Sequence, residues 1–512
     1  MMASPRLPET IQTLPDALAY WAKETPDAPA LIVPGEPVIT YADLFRGAMA
    51  LAERLGRAGV GQTDRVVLLI PEGPDLAVAL LATMSAAIAI PLDASLTASE
   101  LTVALDGLNA AVAVVTPALS AAAGDMLDHH GLATLDLDLA DPVRGSAATG
   151  HSSPAQPVAR PGPDDIAVVS QTSGTTGRPK RVPRDHWRVV ESGRRHRDRF
   201  GLDGSDRALA VAPMTLSLGI TALLHSIAAG SSLILPISTK PSDLWDAIEA
   251  ERPTWMHASA GFLELLARLL RADPARPAPS SLRFVRVTAA AIAPETCDEL
   301  AERLGTRILP GYSTSETGLI ATAMPPPAAY KPGSTGKPIQ EIRIVDGDTV
   351  LGPREEGEIL LRGSKVLAGY LDDPELNAAA FTADGWLRTG DVGYLDEDGF
   401  LFLTGRLKEL INRGGAKISP NEVDAVLLGH SAVVEAATFG VPDGRLGEDI
   451  VAAVVAVDSA APTPRELRGW MLDRLAPHKA PRRIWFVDTL PRTASGKVRR
   501  GELTRRWLEA RG

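Results

Sequence analysis

The sequence predicts an α/β protein, with a large N-terminal domain of helix-covered, mostly parallel sheets and a small α+β C-terminal domain. Three observations support this. Up to about residue 400, short β-branched apolar runs alternate with helical stretches, the pattern of parallel strands buried on both faces. The last hundred residues change to short amphipathic helices set between longer strands. The 512-residue length accommodates a full core and a second unit.

In chain order, a helix is expected over 41–59, opened by Thr40 with Asp43 three residues on, a pattern suited to a helix N-terminus. Strands are expected at 65–70, 111–116, 166–170, 232–235, 284–288 and 358–362. The uncharged run 76–92 nearly reaches bilayer length, but it is rich in alanine, contains Ser85 and Pro91, and is flanked by Asp75 and Asp93. It reads as a buried helix running into a strand. The Pro/Gly/Ser/Ala-rich stretch 141–165 is either a linker or a surface loop. Beyond it, 421–428 reads as a short helix, 450–457 and 484–487 as strands, and Thr463-Pro464-Arg465-Glu466 as a capping box with proline in the first turn. The boundary falls near 405–408, giving domains 1–406 and 407–512.

Fifty-two Lys and Arg against 63 Asp and Glu leave a net charge of −11, which argues against non-specific nucleic-acid binding. Anionic ligands must then be held by local cations and backbone N–H groups. Cys297 is the single cysteine, so no intrachain disulfide or Cys-rich metal site exists. No basic, then apolar, leader opens the chain, and a cytoplasmic location is expected.

The most informative segment follows the 166–170 strand: Gln171-Thr172-Ser173-Gly174-Thr175-Thr176-Gly177-Arg178-Pro179-Lys180. Glycines and small hydroxyl residues let a backbone wrap a polyphosphate, and Lys180 supplies a cation. The order differs from a Walker loop. Taken with other segments, the chain resembles the adenylate-forming superfamily of acyl-CoA synthetases, luciferases and peptide-synthetase adenylation domains. The matching segments are ITYADL at 39–44, AIPLDASL at 89–96, GYSTSETG at 311–318, GWLRTGDVGYLDEDGFLFLTGRLKELI at 385–411 and PRTASGK at 491–497.

That resemblance implies ATP-dependent activation of a carboxylic acid as acyl-AMP, then transfer to the thiol of coenzyme A, with Mg2+ as cofactor and a mobile C-terminal domain. It implies that Glu316 holds the metal, Ser315 contacts the α-phosphate and Tyr312 stacks on adenine. Asp391, helped by Arg406, takes the ribose hydroxyls, and Lys497 bridges the substrate carboxylate and the α-phosphate. Lys180, Glu316 and Lys497 are the catalytic candidates. Thr172, Ser173, Gly174, Thr175, Thr176, Gly177, Ala290 and Gly311 complete the nucleotide site. Lys408 falls at the hinge, and Gly414 and Gly415 where backbone approaches the pantetheine arm. Leu216, Ala260, Ala290 and Gly311 line the acyl pocket. The sequence departs from the family pattern at Leu216, where histidine is usual, and at Ser313 and Ser315, where glycine and threonine are commoner.

The pocket segments 215–220, 258–262, 289–292 and 310–314 carry no Lys, Arg, Asp or Glu. A bulky apolar monocarboxylate is therefore expected, and a zwitterionic or dicarboxylate substrate disfavoured, because a buried charge would lack a partner. Two alternatives stand beside the coenzyme A ligase: an acyl-AMP ligase loading a separate carrier protein, and a non-catalytic nucleotide-binding scaffold. The sequence leaves the oligomeric state open, a homo-oligomer included. Ser431, in a Leu-Gly-His-Ser run, reads as structural, His129-His130 as a solvated pair, and His225 as core or subunit contact.

Overall fold

The computed structural model describes residues 5–137, 160–172, 179–236, 238, 240–276, 281–288, 292–324, 330–457, 462–493 and 497–510. The loop 173–178, with its five nucleotide-site candidates Ser173 to Gly177, lies outside them, as does Ala290.

Two large, mostly parallel sheets carry the first two-thirds of the chain. In the six-stranded sheet, Ala133–Asp136, Val112–Val115, Arg65–Leu69, Ile88–Pro91 and Ile166–Thr172 run parallel, and Lys180–Asp185 closes the edge antiparallel. In the nine-stranded sheet the parallel run is Ile308–Thr314, Phe284–Thr288, Trp255–Ser259, Arg207–Leu209, Ser232–Ile234 and Pro29–Ile32. The helices Tyr41–Arg57, Pro74–Ala86 and Ser217–Ala229 share one core with residues of both sheets. Pro74–Ala86 is buried on every side from Leu76 to Ala86, which is why its sequence is apolar all round. No helix among the described residues is long and apolar enough to cross a membrane.

The third sheet is antiparallel throughout: Thr349–Val350, Glu341–Asp346, Gly357–Arg362, Leu387–Leu395 and Leu401–Arg406. The sequence reading expected one of these strands and missed the separate antiparallel layer. Its strands bury side chains on both faces: Ile344, Ile359 and Leu361 belong to one cluster, and Val345 and Leu360 pack with Trp386 in another.

After Arg406 a 3-10 turn, Leu407–Glu409, leads into the last sheet. There Val433–Asp443 pairs with Gly447–Ala456, and Arg483–Phe486 joins the latter in parallel. The two helix starts form as their sequences suggest. Thr463 Oγ1 accepts from the Glu466 N–H while Glu466 accepts from the Thr463 N–H, and Thr40 accepts from the Asp43 N–H.

Register sorts the side chains that matter at the site. His257 pairs with Arg286 and Ser259 with Thr288. With a side-chain period of two, Met256, Ala258, Val285 and Val287 pack with the helices Pro241–Glu251, Ala260–Ala272 and Pro294–Leu304. Trp255, His257, Phe284, Arg286 and Thr288 face the opposite side, toward the helices His186–Phe200 and Ser217–Ala229.

Candidate active site

The site forms where the C-terminal ends of the nine-stranded sheet meet the antiparallel sheet, the edge at which open α/β sheets take ligands. The strand Ile308–Thr314 turns sharply into Gly318–Thr322, with Thr314 opposite Gly318, so Ser315 and Glu316 occupy the tip of a tight turn. Ser315 Oγ lies 3.0 Å from Ser217 Oγ, the first residue of the helix Ser217–Ala229. The Leu367 N–H donates to the Glu316 carbonyl at 2.9 Å, tying the turn to the antiparallel sheet.

Glu316 is joined to Lys180 through a residue the sequence reading missed. The Tyr370 hydroxyl donates to Glu316 Oε1 at 2.9 Å, and Lys180 Nζ lies 3.4 Å from the same hydroxyl and 4.9 Å from the ring centre. Burial first, then the Glu316 carboxylate, pushes the Tyr370 phenol well up, so it stays a proton donor. Tyr370 ends a run with no motif character of its own, and only the fold brings it to Glu316. Lys180 pairs with Thr172 where the strands Ile166–Thr172 and Lys180–Asp185 run antiparallel.

The second cluster centres on Asp391, buried at 6% exposure. Its register partner is Arg406 on the neighbouring strand. Arg406 Nε approaches one carboxylate oxygen at 2.7 Å, and the Tyr312 hydroxyl donates to the other at 2.6 Å. Burial raises the Tyr312 phenol and the adjoining Asp391 raises it further, while Asp391 raises the Arg406 guanidinium. A buried aromatic ring, a fixed carboxylate and an exposed guanidinium thus stand together, a set suited to a nucleoside.

Lys497 precedes Val498, which forms an isolated antiparallel bridge with Arg492, and its N–H donates to Thr493 Oγ1 at 3.1 Å. The residue keeps solvent-exposed surface, and its ammonium feels several neighbouring charges. Burial lowers its pKa and Arg406 adds to that, while Asp391, Glu316 and Glu409 act in the opposite sense. The C-terminal lysine therefore lies within the field of the groups described above. An ion-pair relay holds this segment down: Glu435 takes Arg268 of the helix Ala260–Ala272 at 2.9 Å and Arg492 at 2.6 Å.

The remaining predicted positions are more dispersed. Leu216 precedes the helix Ser217–Ala229 and is part-buried. Ala260 is buried at the start of its helix behind the N-cap Ser259. A Cβ on Gly311 would meet the Ala321 carbonyl at 3.1 Å and Thr288 Cγ2 at 3.5 Å, so this glycine serves close strand packing. Lys408 lies in the 3-10 turn. Gly414 and Gly415 have φ of 60° and 89° and form the two-residue turn between Arg413 and Ala416, which demands left-handed backbone. His129 and His130 meet edge-on, and no group of three metal-binding side chains occurs among the described residues.

Comparison with known proteins agrees with this layout. Residues 18–371 match the family model of AMP-binding enzymes, and residues 422–497 match that of the AMP-binding enzyme C-terminal domain. An oxalate–CoA ligase of Arabidopsis thaliana is 36% identical, covering 97% of this chain and 99% of that protein. A sulfoacetate–CoA ligase of Cupriavidus necator is 34% identical, covering 97% and 98%. The crystal structure of ATP-bound MatB from Rhodopseudomonas palustris superposes with a TM-score of 0.88 at 25% identity, covering 97% of this chain and all of that one.

Proposed function

The chain belongs to the AMP-binding enzyme family and is an AMP-forming acid–CoA ligase, and from that premise we propose how its own residues divide the work. The reading is carried by two clusters, Asp391–Arg406–Tyr312 and Glu316–Tyr370–Lys180, with the Lys497 ammonium within reach of the charges of Arg406, Asp391 and Glu316.

Attack of a carboxylate on the α-phosphate of ATP forces two anions together, and fixed cations in a water-poor site relieve the repulsion. Asp391 and Arg406 orient the ribose, Tyr312 packs along the base, and Ser315 and the 173–178 loop contact phosphate. Lys497 neutralises charge between the acid and the α-phosphate. Lys180 does the same on the polyphosphate, positioned by Tyr370. Glu316 fits a divalent cation: a hard carboxylate oxygen at an open turn beside hydroxyl groups suits Mg2+, which takes one or two carboxylates and completes its shell with water and substrate phosphate. Such an ion, when bound, supplies positive charge to the phosphoryl oxygens.

For the second half-reaction, residues 407–512 swing about Lys408 as a unit distinct from 1–406, withdraw Lys497, and bring the Gly414–Gly415 turn to the pantetheine arm. The acceptor is coenzyme A. A carrier protein as acceptor is the alternative, and the acid is a small molecule. The uncharged pocket segments favour a bulky apolar monocarboxylate.

The test is ATP–pyrophosphate exchange with a panel of acids, followed by thioester formation with free coenzyme A. Acid-dependent exchange with thioester release is expected. Exchange without thioester would point to a carrier protein, and no exchange with any acid would return the scaffold reading.

A further inference from the structure

One carboxylate beside the site ties the two large sheets together and takes no part in the chemistry assigned above. The strand Arg65–Leu69 of the six-stranded sheet gives way to the link Pro71-Glu72-Gly73, which leads into the helix Pro74–Ala86. From this link the Glu72 side chain reaches the segment between the strand Arg207–Leu209 and the helix Ser217–Ala229. Its Oε2 accepts the Met214 N–H at 3.0 Å and its Oε1 accepts the Thr215 N–H at 3.3 Å.

Met214 and Thr215 are the central residues of a turn. The Leu216 N–H donates to the Pro213 carbonyl at 3.0 Å, which closes the turn and leaves the two central N–H groups without an acceptor inside it. Met214 is 1% exposed and Thr215 9%, so both donors need a partner. Glu72 supplies one oxygen to each. Burial raises the Glu72 carboxyl, the Met214 and Thr215 N–H groups act against that rise, and Asp93 adds to it.

The turn is wedged on its other side by the helix that carries the site. A Cβ on Gly219 would meet the Pro213 carbonyl oxygen at 2.1 Å and the Ala212 carbonyl oxygen at 2.5 Å, so the first helical turn packs directly on this backbone. Leu216 is the N-cap and makes no side-chain cap bond. With no polar group of its own, Leu216 takes its place from the turn that precedes it. The next residue, Ser217, brings its Oγ to 3.0 Å from Ser315 Oγ. A continuous line of contacts therefore runs from Glu72 through the turn to Ser217 and Ser315.

We propose that Glu72 is a positioning residue for adenylation: by holding the 213–216 turn from the opposite sheet, it sets Leu216 against the acid and Ser217 against Ser315, and so fixes the acid carboxylate relative to the α-phosphate. The inference rests on the ligase reading. The nucleotide is held mainly elsewhere, by Asp391, Arg406, Tyr312 and Lys180, so the loss of Glu72 falls on the acid.

The experiment measures pyrophosphate exchange in wild type, Glu72→Gln, Glu72→Ala, Ser217→Ala and the Glu72→Gln/Ser217→Ala double variant, with acetate, oxalate, benzoate and octanoate as the acids. Glu72→Gln keeps the side-chain length but turns an NH2 toward one of the two donors, and Glu72→Ala removes both acceptors. Glu72 keeps solvent-exposed surface, so both variants are expected to fold. For whichever acid wild type adenylates, KM for the acid should rise about 10-fold in Glu72→Gln and further in Glu72→Ala, while KM for ATP stays within about 2-fold. Ser217→Ala should raise the acid KM as well, and the double variant should lose little more than the worse single one, because both act along one line of contacts. An unchanged acid KM in the Glu72 variants, an equal rise in the acid and ATP values, or independent losses that multiply in the double variant overturns the inference and leaves the ligase reading standing. No acid-dependent exchange by wild type with any of the four acids overturns both.

Discussion

Arg268→Ala removes the contact by which the helix Ala260–Ala272 reaches across to the C-terminal unit. The arginine donates to Glu435 Oε1 at 2.9 Å and to the Val434 carbonyl, while Glu435 keeps Arg492 at 2.6 Å. The side chains of Arg268 and Glu435 are 28% and 16% exposed, so the pair is only partly screened. Burial alone would raise the Glu435 carboxyl, yet hydrogen bonds from Arg268 and Arg492 bring it below the usual carboxylate range. Losing one partly buried, charge-assisted pair costs about 1–2 kcal/mol. That energy is lost only in the pose that inserts Lys497, so its population falls about 5- to 30-fold relative to the alternative. Adenylation, read as pyrophosphate exchange, should drop by that factor. Thioester formation from supplied acyl-AMP should hold or quicken. Equal losses in both half-reactions, or no loss in either, would refute the reasoning.

Two further outcomes follow from the same structure. Tyr370→Phe removes the hydroxyl between Lys180 and Glu316 while keeping the ring beneath Lys180; adenylation should fall about 10-fold with a larger metal requirement, and an unchanged Mg2+ dependence would show that the hydroxyl does not position Glu316. Burial holds His186, at about 4, and His196, His225 and His257 below the ordinary imidazole range, so the stability they contribute is present above pH 6.5 and lost as pH falls, at up to about 1.4 kcal/mol per pH unit for each. Asp75, pushed up to about 6 by burial and Glu36, titrates with the opposite sign. His186→Asn should therefore flatten the fall in stability between pH 6.5 and 5 by about one proton's worth, measured by denaturant titration, and identical slopes would contradict the assignment.

Much of this was legible in the chain itself, where the signal was local. The strand Phe284–Thr288 matches its apolar β-branched run residue for residue, and the caps at Thr40 and Thr463 form as their side chains dictate. The shift from parallel to antiparallel sheet after residue 340 was missed because short strands carry a weak signal. Tyr370 and Glu72 were missed for a different reason. Tyr370 reaches Glu316 across 54 residues, and Glu72 reaches Met214 across 142. His225, read as core or subunit contact, is buried as core, with the His196 ring stacked on it.

The most direct test of the proposed chemistry separates the two half-reactions in Lys497→Ala. Lys497 lies close enough to Arg406, Asp391 and Glu316 to feel their charge, and its ammonium is assigned to the charge that forms between acid and α-phosphate. The variant should lose acid-dependent pyrophosphate exchange by about 10²-fold or more, yet convert supplied acyl-AMP and coenzyme A to thioester at close to the wild-type rate. Normal adenylation by the variant, or an equal collapse of both steps with the fold intact, would contradict the account.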